Sequence, residues 1–310
     1  MSSWPRLDYA ADRATTESLH LLLQLIGKLP LRLHPWLNHG WHVALRMTPR
    51  GAVTRPLHAE GRHFVVELDI LGGAIRVACE NGSAETLPVA GETIASVHRG
   101  LTAALGRLEL PAPLEGAPNE LPDPVPFAAD DRPREWDADA AHRLLGAFLC
   151  ADRNFNIFRS LYRGKSSPSQ LFWGSFDLAV TRFSGREAPV HPGGVPHLPD
   201  AVTREAYSHE VISAGFWPGG GGFDEPAFYA YAYPTPPTLA TAPVEPAAAR
   251  WNPTLGEFLL PYATVRDSAD PDSVVQQFLH ATFEAAAPLL DWPRGLVIGE
   301  RPSYGHPPHP

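Results

Sequence analysis

Lysine is almost missing from this 310-residue chain: only Lys28 and Lys165 occur, and arginine carries nearly all the positive charge. The formal net charge is −9. Binding a phosphate backbone needs a basic face, and no clustered arginine stripe offsets the acidic balance, so a nucleic-acid partner is excluded. Cysteine is scarce too. Cys79 and Cys150 are the only two, which excludes a cysteine zinc site, argues against a disulfide framework and suits two free thiols in a reducing compartment. Long apolar runs are absent, and Leu21–Ile26 is too short to cross a bilayer. Residues Met1–Arg6 lack the charged-then-apolar pattern of an export signal. The expectation is a soluble, cytoplasmic protein with no membrane partner. Two catalytic signatures are missing as well. Gly164-Lys165-Ser166-Ser167 has only the end of a phosphate loop, without its first glycine or a preceding apolar strand, and no Gly-x-Ser-x-Gly elbow occurs.

What is present is enough apolar material for a sizeable core, 44% of residues, in one large or two modest domains. Two stretches look like copies of one another. Trp41-His42-Val43-Ala44-Leu45 reads against Phe176-Asp177-Leu178-Ala179-Val180, each after a Gly/aromatic approach and each before a basic turn, Arg50-Gly51 or Ser184-Gly185-Arg186. Leu-Pro pairs, Leu87-Pro88 and Leu260-Pro261, precede a helical pattern in each half. A repeat of this length implies two related units, with His42 and Asp177 at equivalent positions.

Periodicity supports the same division. The first half reads as a helix over 14–28, strands His42–Met47, Val53–Leu57, His63–Ile70 and Ala74–Cys79, and a helix over 91–106. The second reads as a helix over 137–162, a strand Leu171–Phe183, a Pro/Gly loop over 187–200 and a short helix over 201–207. Strands Val211–Trp217, Ala227–Tyr233 and Glu257–Tyr262 follow, then a helix over 271–288. Strands grouped between helices imply an α+β fold rather than a parallel sheet. The expectation is two pseudo-symmetric helix–antiparallel sheet–helix halves, with the sheets edge to edge or face to face and a site between them. The boundaries are a first half over 1–108, a Pro-rich, acidic surface linker over 109–134, a second half over 135–292, and a disordered tail over 293–310.

Several residues are candidates for chemistry. His39-x-x-His42 can direct two imidazoles to one ion, and Tyr207-Ser208-His209-Glu210 adds a third nitrogen and a carboxylate. His39, His42, His209 and Glu210 thus form a candidate ligand set for a divalent transition metal, iron or zinc. The same histidines are also suited to bonding backbone and aromatic neighbours. Asp177, Glu225 and Glu257 are candidate catalytic carboxylates, Asp177 as a ring-orienting or metal-holding group and the glutamates as bases. Arg182 and Arg186 flank a glycine turn and are candidate clamps for a substrate anion, or else structural partners of nearby acids. Tyr229 and Tyr231, alternating with alanines, form either packed sheet or an aromatic pocket wall beside Trp217.

These segments also carry a family resemblance, spanning about residues 4–290. Leu37-Asn38-His39-Gly40-Trp41-His42-Val43, Phe172 through Arg186, Tyr207-Ser208-His209-Glu210, Phe216-Trp217-Pro218-Gly219-Gly220, Glu225-Pro226-Ala227-Phe228-Tyr229 and Gly256 through Tyr262 resemble a bacterial family catalogued as domain of unknown function 5996. Gly40 departs from the bulky aromatic expected there. The resemblance implies no activity. The functional expectation is a metal-dependent enzyme, hydrolytic or oxidative, acting on a small polar or anionic molecule. The alternatives are a metal-free acid/base enzyme of the isomerase or lyase kind, and a non-catalytic small-molecule-binding protein. Oligomeric state is not specified.

Overall fold

The computed structural model describes residues 4–220 and 223–297. Helix α1 (Tyr9–Leu33) starts earlier than its apolar period suggests, because Asp8 caps it by accepting from the Ala11 amide at 3.2 Å. It also runs past Gly27. That glycine makes room for the Trp173 indole, which a Cβ would approach to 2.4 Å.

Six strands follow: β1 (Arg46–Thr48), β2 (Gly51–Val53), β3 (Leu57–Ala59), β4 (Arg62–Asp69), β5 (Ala74–Cys79) and β6 (Ala84–Pro88). They form an antiparallel sheet in the order β1-β2-β4-β5-β6, with β3 beside the other end of β4. The single strand expected over Val53–Leu57 is broken between β2 and β3, where Pro56 has no amide to donate. Helix α2 (Ile94–Arg107), capped by Thr93, closes the half.

The second half repeats this order. Helix α3 (Ala138–Ser160) leads into β7 (Gln170–Phe172), β8 (Asp177–Glu187), helix α4 (Asp200–Ala206), β9 (His209–Trp217), β10 (Ala227–Tyr233), β11 (Arg250–Asn252), β12 (Glu257–Pro261), and helices α5 (Tyr262–Arg266) and α6 (Pro271–Ala286). The sheet order is β7-β8-β9-β10-β12-β11, antiparallel throughout. The strand expected over Leu171–Phe183 is instead a hairpin, turning at residues 173–176 with Phe176 at φ 62°.

The two sheets meet edge to edge. Leu45 and Leu171 exchange amide–carbonyl bonds of 2.9 Å, so the edge before β1 lies antiparallel to β7. The long helices form one layer in the order α2-α1-α3-α6 on one face. Phe64, Val66 and Leu68 of β4, Leu178 and Val180 of β8, and Phe228 and Ala230 of β10 all face that layer and are buried.

Residues 109–134 are not a loose surface tether: Leu110, Leu114, Phe127 and Asp130 are buried. Of the expected disordered tail, residues 293–297 fold back, and the Arg163 amide donates to the Leu296 carbonyl at 2.7 Å. The remainder lies outside the described residues. Among the described residues no helix is long and apolar enough to cross a membrane.

Candidate active site

Strand alternation puts one set of side chains on the sheet face away from the helices. In the second half that set is Asp177, Ala179, Thr181 and Phe183 on β8, Gly215 and Ser213 on β9, and Tyr229, Tyr231 and Tyr233 on β10. The registers Ala179↔Gly215, Thr181↔Ser213, Tyr229↔Gly215 and Tyr231↔Ser213 place them. Glu257 starts β12 one residue from the Ala230–Phe258 pair, and so lies on the Tyr231 side.

Asp177 is buried, with a carboxyl that accepts from Ser175 Oγ and from the Tyr229 hydroxyl. The phenol reaches Asp177 by crossing over Gly215, where a Cβ would lie 2.3 Å from Tyr229 Cζ and its hydroxyl. Tyr231 stacks beside Tyr229, centroids 6.1 Å apart and planes 16° apart. It accepts a 3.0 Å hydrogen bond from the Tyr207 hydroxyl, which leaves its own proton for another partner.

Burial raises the Asp177 carboxyl against the pull of the Ser175 and Tyr229 hydroxyls. Burial pushes Glu257 up to about 7, and the Asp177 charge adds to the shift. The phenols of Tyr229 and Tyr231 are raised well above their ordinary value, again mainly by burial.

Glu120 completes the cluster from the linker. Its side chain lies against Gly174, where a Cβ would come within 1.9 Å of Oε1. Burial, then the Asp177 charge, pushes it up to about 7. A polar stripe on α1 holds this segment in place. His20 Nε2 lies 2.9 and 3.0 Å from the carbonyls of Trp173 and Gly174. Gln24 donates to the Asn119 and Gly174 carbonyls at 2.8 and 3.0 Å, and accepts from the Asn119 amide at 2.9 Å. Lys28 donates to Asn119 Oδ1. His20, Gln24 and Lys28 recur every four residues and so line one side of the helix. The stripe clamps together the linker bearing Glu120 and the turn leading into Asp177.

The expected metal ligands do not converge. His42 lies in a turn rather than a strand, and its buried ring accepts from the Leu37 amide and packs 4.7 Å from Trp36. Burial lowers its pKa. Glu210 is bound by Arg186 at 2.9 Å. Only His39 and His209 are neighbours, with centroids 5.9 Å apart, and His39 Nδ1 is already bonded to the Ala206 carbonyl at 2.7 Å. Among the described residues no three His, Cys, Asp or Glu side chains are arranged to hold a metal ion.

The anion clamp is also absent. Arg182 alternates onto the helix face, fully buried, and donates to the Phe158 carbonyl at the α3 C-terminus at 2.6 Å. Its Cζ lies 3.4 Å from the Phe158 ring centroid and 4.5 Å from that of Phe283. Arg186 is spent on Glu210 and on the Leu290 and Asp291 carbonyls. Glu225 is exposed, and Trp217 stacks on Phe223 at 5.7 Å.

Two cavities lie elsewhere. One of about 300 Å³ is lined by Tyr9, Glu17, His20, Leu121, Phe176 and Gly220. Another, of about 360 Å³, borders Arg159, Tyr162, Gly164 and Ser166. Neither is lined by Asp177, Glu120, Tyr229 or Glu257. The titratable groups sit on a sheet face rather than in either void.

Comparison with curated proteins and with solved structures gives no match in either. A family model described as "Family of unknown function (DUF5996)" matches residues 4–298, so the chain belongs to that family.

Proposed function

We propose that this protein is a metal-independent acid–base enzyme acting on a small polar molecule, of the isomerase or lyase kind. One observation carries the reading: Glu257, on the sheet face of the Asp177–Tyr229 pair, and Glu120, reaching from the linker against Gly174, both feel the Asp177 charge and are both pushed up to about 7. A carboxyl titrating near the working pH is available as base and as acid. One glutamate takes a proton from the substrate and the other returns one at a second atom, so protons balance and no oxidant is needed. Tyr231, raised by burial, stays protonated, and its hydroxyl, bonded to Tyr207 and Ser213 in the folded protein, exchanges a partner to donate to a developing oxyanion. Iron or zinc has no part in this scheme, since of the four expected ligands only His39 and His209 are neighbours. Two buried cysteines, Cys79 and Cys150, suit a cytoplasmic setting.

The test is hydrogen exchange. Pools of small polar metabolites are incubated with the protein in D₂O and read by mass spectrometry for incorporated deuterium. The expected result is incorporation into one compound that disappears in Glu257→Gln. Saturable binding with no incorporation supports the small-molecule-binding alternative instead.

A further inference from the structure

The carboxyls of Glu120, Asp177 and Glu257 share one feature besides their location. None takes part in any ion pair among the described residues. The nearby cations are committed elsewhere: Arg182 faces the helix layer, Arg186 holds Glu210, and Lys28 holds Asn119. Carboxyls removed from water are ordinarily paired with a cation or kept protonated. The phenol rings of Tyr229 and Tyr231 stand side by side on the same face, and Tyr207 lies 6.1 Å from Tyr231. Such rings attract cations through their negative faces.

A second, separate observation is Gln170. It is 5% exposed and its Nε2 has no hydrogen-bond partner. It stands opposite Ala179, diagonal to Asp177 and on the same face. A buried amide donor without a protein partner is satisfied by water or by an acceptor on a bound molecule.

We infer that the substrate is an organic cation, with an ammonium or guanidinium group seated among Glu120, Asp177, Glu257 and the rings of Tyr229 and Tyr231, and an acceptor oxygen directed to Gln170. This rests on the acid–base reading above and gives it a substrate class. It also reverses the anionic substrate expected from Arg182 and Arg186. A metal ion in the same place would need three donors around one point, an arrangement not found among the described residues.

The test uses the full chain and simple probes. n-Butylammonium, tetramethylammonium and guanidinium chlorides are titrated against n-butanol and butyrate, following the Gln170 side-chain amide and the tyrosine rings by NMR. The ammonium probes are expected to shift these signals at concentrations at least tenfold lower than butanol, and butyrate to leave them unmoved. At pH 6.5 binding should release protons as the glutamates ionise, seen by calorimetry in two buffers of different ionisation heat. The double variant Glu120→Gln/Glu257→Gln, with its fold verified by its amide spectrum, should lose the preference at least tenfold.

Equal response to butanol or butyrate overturns the inference, as does a preference that survives in the double variant. So does Mn²⁺ binding at these residues that the amines cannot displace. Failure of the acid–base reading has a different signature: in ¹³C titrations of the free protein, Glu120 and Glu257 would show midpoints near their ordinary value of 4.5, whether or not an amine binds.

Discussion

The two halves share one layout, an antiparallel sheet with helices on one face, and furnish the other face in opposite ways. On the first sheet the acids are neutralised locally. Asp69 is bound by Arg50, and Glu67 accepts from Thr48 at 2.7 Å with Arg76 as its cross-strand partner. On the second sheet Asp177 and Glu257 enter no ion pair among the described residues, and Asp177 accepts from Tyr229, whereas Asp69 and Glu67 have Arg50 and Arg76. One layout thus serves as a finished surface in one half and leaves the other chemically unsatisfied. Residual charge imbalance of this kind marks functional sites more often than structural ones.

The largest break in the contrast should come from behind the second sheet. Gln24→Met keeps the volume of a fully buried side chain but strands the Asn119 amide and carbonyl. It should cost about 2–4 kcal/mol in denaturant unfolding and let Glu120 titrate nearer its ordinary value. Next is Gly215→Ala, which drives Tyr229 off Asp177. A loss of about 1–3 kcal/mol is expected from overpacking, together with loss of deuterium incorporation.

Smaller and opposite in sign are Glu120→Gln and Glu257→Gln. Each glutamate's folded pKa, about 7, lies above its ordinary 4.5, so the folded protein holds the proton more tightly. That contribution is complete below about pH 4.5 and is lost as pH rises through about 7. Each glutamine should therefore flatten the decline and raise stability at pH 8 by about 1–2 kcal/mol, allowing for partial solvent screening. Urea melts at pH 5 and pH 8 check this. The least effect belongs to the first sheet, where Asp69→Asn removes a partly exposed pair with Arg50 and should cost about 0.2–1 kcal/mol.

Much of the scaffold was readable from alternation. Ala74–Cys79 and Ala227–Tyr233 are strands with the bounds their period-two patterns predict, and the tyrosine stripe lies on the open face as one of its two readings required. The pattern over Leu171–Phe183 predicts one strand and hides the 170–187 hairpin, because the turn is made by Phe176, which has a left-handed φ without being glycine. That error misaligned the repeat. By element order β1 matches β7, so His42, which precedes β1, is no counterpart of Asp177, which opens β8. Glu120 was invisible in a proline-rich segment with no period. Its signal lay at a distance, in three polar residues spaced by four inside the leucine-rich α1. Polar groups on a helix side that is otherwise apolar have to be bonded to something, and here that something is the segment carrying Glu120.

Because Glu120 is contributed by the connector, the polypeptide joining the two halves is itself a working part. Half-length chains expressed separately, cut anywhere between Glu120 and the start of α3, would leave this carboxyl on the amino-terminal fragment. Reassembly through the Leu45–Leu171 seam would restore the folded body, but the site would depend on a free end staying docked against α1.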